Sequence, residues 1–322
     1  MTLSNYNDNP NSRIPNLDAG MRPGSVKIMT KGLPTLVKTT YGYYQYFPLP
    51  SLDDLKAYYS RKYYQEGKGS YETVYSPAET MYFKLKARLI YRKLGRLREL
   101  SARKQVLDIG CGEGWIMDCF AQEGHAVKGM DFSEYGLEAF HAHLISFMEQ
   151  GECMQLIRRH LAQSREYDII ILGNVIEHVL DPVELLSIVR QILKKNGLLV
   201  IVAPNDFSSL HEYLLEHEII DKRFWLCYPD HITYFNKDSM ENLLKDKGFC
   251  VEAVVADNPV DLNLLNKNSN YINEPEKGKN VHFFRVAGDN FLASIDESKL
   301  LDLYEILGSM GVGRDLTYYC SR

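Results

Sequence analysis

The stretch VLDIGCGEGW, residues 106–115, constrains the chain more than any other, because an apolar run ends in three glycines spaced two apart, Gly110, Gly112 and Gly114. Such a run reads as a buried strand. Glycines directly behind it make a turn in which backbone can approach a ligand closely before a helix begins. Downstream, apolar runs alternate with amphipathic stretches, which predicts a mostly parallel α/β sheet with helices on both faces. Strands are expected at about 105–109, 126–131, 145–149, 167–173 and 198–203, with helices at about 114–123, 134–142, 153–163 and 182–195 between them. A helix over Lys237–Lys247, a strand at about 249–256 and a last strand in GRDLTYYC complete seven strands. The polar stretch DNPVDLNLLNKNSNYINEPEKGKN is expected to be a surface excursion.

The details of the loop decide what it suits. Dinucleotide turns use GxGxxG, but Trp115 falls where the third glycine would pack, and no Lys-Ser or Lys-Thr follows to form a phosphate loop. Instead Asp108 stands two residues before Gly110, an acidic group at a strand end that suits an ammonium and would repel a pyrophosphate. Asp131, 17 residues past Gly114 in VKGMDFS, sits at the end of the next strand, where a carboxylate can accept ribose hydroxyls. Phe132 beside it can cover an adenine face.

On four collinear stretches, VLDIGCGEG, GMDFSE, the pair Gly151-Glu152, and YDIIILGNVIEHVLDP followed by NGLLVIVAPN, residues 104–205 resemble a class I S-adenosylmethionine-dependent methyltransferase. The resemblance implies a Rossmann-like fold with S-adenosylmethionine as donor and S-adenosylhomocysteine as product. It also implies that Gly110, Cys111, Gly112, Gly173 and Asn174 hold the methionine part, with Asp131 on the ribose and Glu152-Cys153 at the adenine. Glu152 has a plainer reading as a residue at a helix start, favoured by the dipole. The domain then covers 81–322, with insertions at about 206–236 and 257–296, and residues 1–80 form an N-terminal extension and cap.

In open α/β sheets the second substrate lies beyond the carboxyl ends of the strands, past Gly173, Asn174 and Asn205. Two segments can cover it. Twelve of the 22 tyrosines fall between Tyr41 and Tyr91, and Tyr63, Tyr64, Tyr71 and Tyr75 flank Gly67 and Gly69 as a closing lid would. The insertion 206–235 carries YPDHITYF, whose Tyr228, Asp230 and His231 resemble the catalytic stretch of nucleotide-sugar C-methyltransferases. Those enzymes have a zinc-binding domain and a large C-terminal domain that this chain lacks, so the resemblance speaks for a sugar-like acceptor and not for C-methylation. His231 is the candidate general base; His178, in EHV, is more simply a residue of a strand-to-helix turn.

Composition narrows the partners. A net charge of −5 argues against a nucleic-acid surface, and no apolar run reaches the roughly 18 residues of a membrane span. The start lacks the order of a signal peptide, which gives a cytoplasmic expectation. Six scattered cysteines without a CxxC pair suggest neither disulfides nor a metal site. The seven Lys and Arg from Lys84 to Arg98 are expected to form a solvated helix face. The expected reaction is O-methylation of a small polyhydroxy acceptor, a sugar or glycan intermediate of polysaccharide biosynthesis. A quinone or phenol acceptor and a non-catalytic S-adenosylmethionine-binding protein are the alternatives, and the oligomeric state is open, a homodimer included.

Overall fold

A computed structural model describes residues 27–28, 34–51, 53–55, 58 and 74–322. The central sheet forms as its sequence predicts. Strands β4 (Gln105–Ile109), β5 (Ala126–Asp131), β6 (Met148–Gln150), β7 (Tyr167–Gly173), β8 (Leu193–Pro204), β10 (Cys250–Ala256) and β11 (Asp315–Ser321) lie in the order β10-β11-β8-β7-β4-β5-β6. β4 pairs in parallel with β5 and β7, as do β5 with β6 and β7 with β8; β11 runs antiparallel between β8 and β10.

Continuous apolar runs are explained by cover on both faces. Leu107, Ile170, Leu172, Leu199 and Ile201 point to one side, where they meet Ile157 of α4 (Cys153–Ala162), Leu185 of α5 (Pro182–Ile192) and Leu243 of α7 (Lys237–Asp246). The alternate residues Val106, Ile169, Ile171, Leu198 and Val200 meet Leu85 of α1 (Pro77–Leu97), Phe120 of α2 (Trp115–Gln122) and Leu301 of α8 (Gly278–Ser309). The remaining helices are α3 (Tyr135–Phe140) and α6 (Ser209–Glu216). At the start of α1, Ser76 accepts a hydrogen bond from the Glu79 amide at 3.2 Å and the Glu79 carboxylate accepts one from the Ser76 amide at 2.9 Å, a reciprocal cap.

A second sheet, β1-β2-β3-β9, joins β1 (Lys27–Ile28), β2 (Thr35–Lys38) and β3 (Tyr44–Phe47) to β9 (Thr233–Tyr234) of the insertion, all antiparallel. Leu36 and Tyr46 from the N-terminal part share a core with Phe207, Trp225 and Tyr234. β1, β2 and β3 thus build one layer with the insertion.

Three expectations are corrected. The strand expected at 145–149 is β6 at 148–150, because Ala142–Phe147 wind into a 3-10 helix. The polar stretch after β10 is no surface excursion, since Val260, Asp261, Leu264 and Asn270 are buried and Asn270 donates to the Ile219 and Leu264 carbonyls at 3.1 and 3.2 Å. The basic run of α1 is a seam and not a solvated face: Arg88 and Arg92 meet Glu297, Arg96 meets Asp302 and Lys93 meets Glu305, all on α8. Lys86 meets Asp257 and Asp315, and Arg98 meets Glu252.

Candidate active site

The glycine loop turns at the carboxyl end of β4 with φ of +71° at Gly110, +52° at Gly112 and +84° at Gly114. The Gly110 and Cys111 amides donate to the Met130 carbonyl at 2.7 and 3.0 Å, which locks the loop onto β5. Asp131 ends β5, and its two carboxylate oxygens accept from the Gly112 amide at 2.9 Å and the Ser133 amide at 3.1 Å. Each oxygen keeps a second lone pair for a ribose hydroxyl. Burial pushes this carboxyl up from its usual range, against the pull of the Ser133, Gly112 and Phe132 amides. Asp108, 3% exposed, is pushed up to about 7 by burial and then by Asp131. A cationic ligand group beside Asp108 would offset both effects. Phe132 stands half-buried beside Asp131.

Glu152 is the N-cap of α4, accepting from the Met154 and Gln155 amides at 2.9 and 2.8 Å, so its carboxylate serves the helix first. Cys153 opens that helix, its thiol pushed up to about 12 chiefly by burial. At the end of β7, Asn174 adopts a positive φ of 55° and its amide donates to the Val202 carbonyl at 2.9 Å. Gly173 and Asn174 line a cavity of about 200 Å3 together with Trp115, Phe83, Lys86 and Asp315.

Tyr75 enters from the cap side and donates to Glu113 at 2.7 Å, and Trp115 donates to the other Glu113 oxygen at 2.6 Å. Their rings, with Phe83 and Phe140, form an aromatic cluster behind the glycine loop. Tyr63, Tyr64 and Tyr71 lie outside the described residues, as do Gly67 and Gly69.

On the acceptor side two distant segments meet. The Ile232 and Thr233 amides both donate to the Glu177 carbonyl, at 3.0 and 3.1 Å, pinning the turn after β7 to the insertion. His178 Nδ1 lies 2.6 Å from the Asp230 carbonyl, and the His178 and His231 rings stand edge to face with centroids 4.9 Å apart. Burial, then His178, pushes His231 down to about 4, and burial raises Glu177. Tyr228 packs edge-on against Tyr46 at 4.8 Å. Asn205 is turned away: 2% exposed, it donates to the Gly311 and Gly313 carbonyls at 2.8 and 3.2 Å and holds the loop before β11. Sequence reasoning passed over Glu177, although it stands in the quoted EHV motif. It also passed over Lys86, Asp257 and Asp315, whose pairing no local pattern announces.

A mostly parallel sheet with an acidic strand end, a carboxylate closing the next strand and a glycine turn between strand and helix is the frame expected of an S-adenosylmethionine-dependent methyltransferase. Residues 82–254, more than half of the chain, match the model of a methyltransferase domain family, and the chain belongs to that family. It is 32% identical over 124 residues to the ubiquinone biosynthesis O-methyltransferase of Neisseria meningitidis serogroup A, over 35% of this chain and 52% of that protein. The enzyme of the same name from Salmonella enteritidis is 32% identical over 110 residues, 33% of this chain and 46% of its own. The chain thus spans about half the length of these relatives. Among solved structures it is similar to a SAM dependent methyltransferase from Archaeoglobus fulgidus, at 17% identity and a TM-score of 0.47, covering 83% of this chain and 99% of that one. The magnesium protoporphyrin IX methyltransferase of Synechocystis, with bound SAH, gives 17% identity and a TM-score of 0.41 over 62% and 86% of the two chains. Among the described residues no helix is long and apolar enough to cross a membrane.

The bound donor supplies an electrophilic methyl group on a sulfonium. We propose that Asp131 takes its ribose and the loop 110–112 its methionine part; the Gly151 amide, just before the helix start at Glu152-Cys153, donates to the Asp131 carbonyl at 2.8 Å. Asp131→Ala is therefore expected to weaken S-adenosylhomocysteine binding at least about tenfold, since charge-assisted hydrogen bonds are lost. Calorimetry on the folded variant checks this; unchanged affinity removes Asp131 from the donor site.

Proposed function

We propose that this enzyme methylates a hydroxyl oxygen of a small polyhydroxy acceptor, a sugar or glycan intermediate, lying beyond the ends of β7 and β8. The observation that carries this reading is the convergence of Glu177 and His178 with Asp230 and His231 at that edge, 52 residues apart in sequence between His178 and the Asp230 carbonyl. An acceptor with several hydroxyls suits such a polar rim.

Methyl transfer is an in-line displacement in which an acceptor oxygen forms the new bond to carbon as the carbon–sulfur bond breaks with its electrons going to sulfur. The hydroxyl proton must leave, and His231 is the group to take it. Asp230 and His178 position that imidazole. The Glu177 carbonyl holds the chain just after it through the Ile232 and Thr233 amides.

A phenolic acceptor is the second reading, supported by the similarity to ubiquinone biosynthesis O-methyltransferases over about a third of the chain. Labelled methyl transfer from S-adenosylmethionine to nucleotide sugars, free glycans and catechols, with S-adenosylhomocysteine as the readout, tests both. Transfer to a sugar hydroxyl is expected. Transfer confined to phenols overturns the sugar reading and leaves O-methylation standing.

A further inference from the structure

Glu177 is 1% exposed, and neither of its carboxylate oxygens accepts a hydrogen bond from the described residues. An uncompensated carboxylate in such a place is costly, and the charged groups around it, Asp315, Asp206 and Asp230, are also acidic. Among the described residues no lysine or arginine pairs with Glu177. Arg314, the nearby guanidinium, is engaged by Asp206 at 3.2 Å and Asp261 at 3.8 Å.

Two imidazoles face the same carboxylate. One ligand atom each from Glu177, His178 and His231 lies within 4.8 Å of the others. His178 Nδ1, at 2.6 Å from the Asp230 carbonyl, donates there, which fixes the tautomer and leaves Nε2 as a lone-pair donor 3.8 Å from Glu177 Oε1. A backbone carbonyl on the far nitrogen is the usual outer partner of a metal-bound histidine. His231 Nδ1 is buried and bonded to nothing among the described residues.

We propose that Glu177, His178 and His231 bind one divalent transition-metal ion at the acceptor edge of the sheet. Two imidazoles and one carboxylate suit zinc, manganese or iron(II) rather than magnesium or calcium, which favour oxygen ligands throughout. Metal–ligand bonds of about 2.1 Å would draw the three groups inward, and three protein ligands leave positions for an acceptor oxygen. The inference rests on the acceptor reading above and changes one part of it. The ion, in place of the free imidazole, lowers the pKa of the bound hydroxyl. Its proton passes to water, and the oxygen then attacks the methyl carbon as the carbon–sulfur bond breaks.

The test uses the untagged full chain, stripped with a chelator and titrated with Zn2+ and Mn2+ by calorimetry and with Co2+ by visible absorption. One ion per chain is expected at micromolar or lower Kd, weakened at least about a hundredfold by Glu177→Gln and by His231→Gln. S-adenosylhomocysteine affinity reports that each variant retains its donor site, and His231→Gln carries the test should Glu177→Gln fail to fold. A wild-type chain that binds no ion, or variants that bind it equally, overturn the proposal. If the ion-free protein keeps full methyl transfer while His231→Gln loses it, the ion is refuted and the imidazole stands as base. Full transfer by His231→Gln instead refutes the acceptor reading itself.

Discussion

His231→Ala is expected to lower kcat at least about a hundredfold, equivalent to about 2.7 kcal/mol of transition-state stabilisation, while S-adenosylhomocysteine binds as before. The size follows from the role proposed for the imidazole, whether it takes the hydroxyl proton itself or holds an ion that acidifies the hydroxyl. Donor affinity is spared because the donor contacts proposed above come from the loop after β4 and the end of β5. The fold is also spared: the His231 amide donates to the Cys227 carbonyl at 3.0 Å and the His231 carbonyl accepts from Tyr234 at 2.9 Å, and alanine keeps both. Steady-state kinetics with the melting temperature check the expectation. A folded variant with more than about a tenth of wild-type activity would exclude His231 and pass the role to His178. His211 is no substitute, being 1% exposed and bonded to Asp261 at 2.9 Å.

Gly110→Ala should be a strongly damaging small change in the glycine loop. A Cβ there would stand 2.3 Å from Val175 Cγ2, and the φ of +71° is one that alanine adopts only with strain. The backbone term costs about 1 kcal/mol and the overlap about 1 to 3 more. For a chain of this size the melting temperature should fall by at least about 4 °C. The double variant Gly110→Ala, Val175→Ala separates the two terms, since it relieves the overlap and leaves the strain. Thermal melting of the single variant within about 1 °C of wild type would mean that the loop has slack the geometry denies.

Legibility in the sequence followed the range of the interactions involved. β4, β5 and β7 fall on their expected residues because each is a short apolar run closed by a glycine or an acidic residue, a local signal. Asp131 and the glycine loop were readable for the same reason. α8 was not: Asp296 breaks it with φ −163° and ψ 101°, so its apolar positions change phase midway and no single stripe runs through it. Its Glu297, Asp302 and Glu305 are what turn the basic run of α1 from a solvated face into a seam, and a pairing across some 200 residues leaves no mark on either segment alone. Glu177 was overlooked in the same way. Nothing in the sequence tells that its carboxylate ends buried, with one oxygen within 4.8 Å of a ring nitrogen of His231, 54 positions away.

The second sheet sets a rule for anyone who would re-engineer acceptor choice. β3 pairs Tyr44 and Gln45 with Tyr234 and Thr233, and Gln45 also donates to the Leu180 carbonyl at 3.1 Å and to Thr233 Oγ1 at 3.0 Å. The wall over the proposed acceptor site is thus woven from two threads separated by most of the chain. Transplanting residues 206–236 from a relative would bring in a strand whose edge no longer matches its N-terminal mate, so chimeras must exchange 34–50 and 206–236 together.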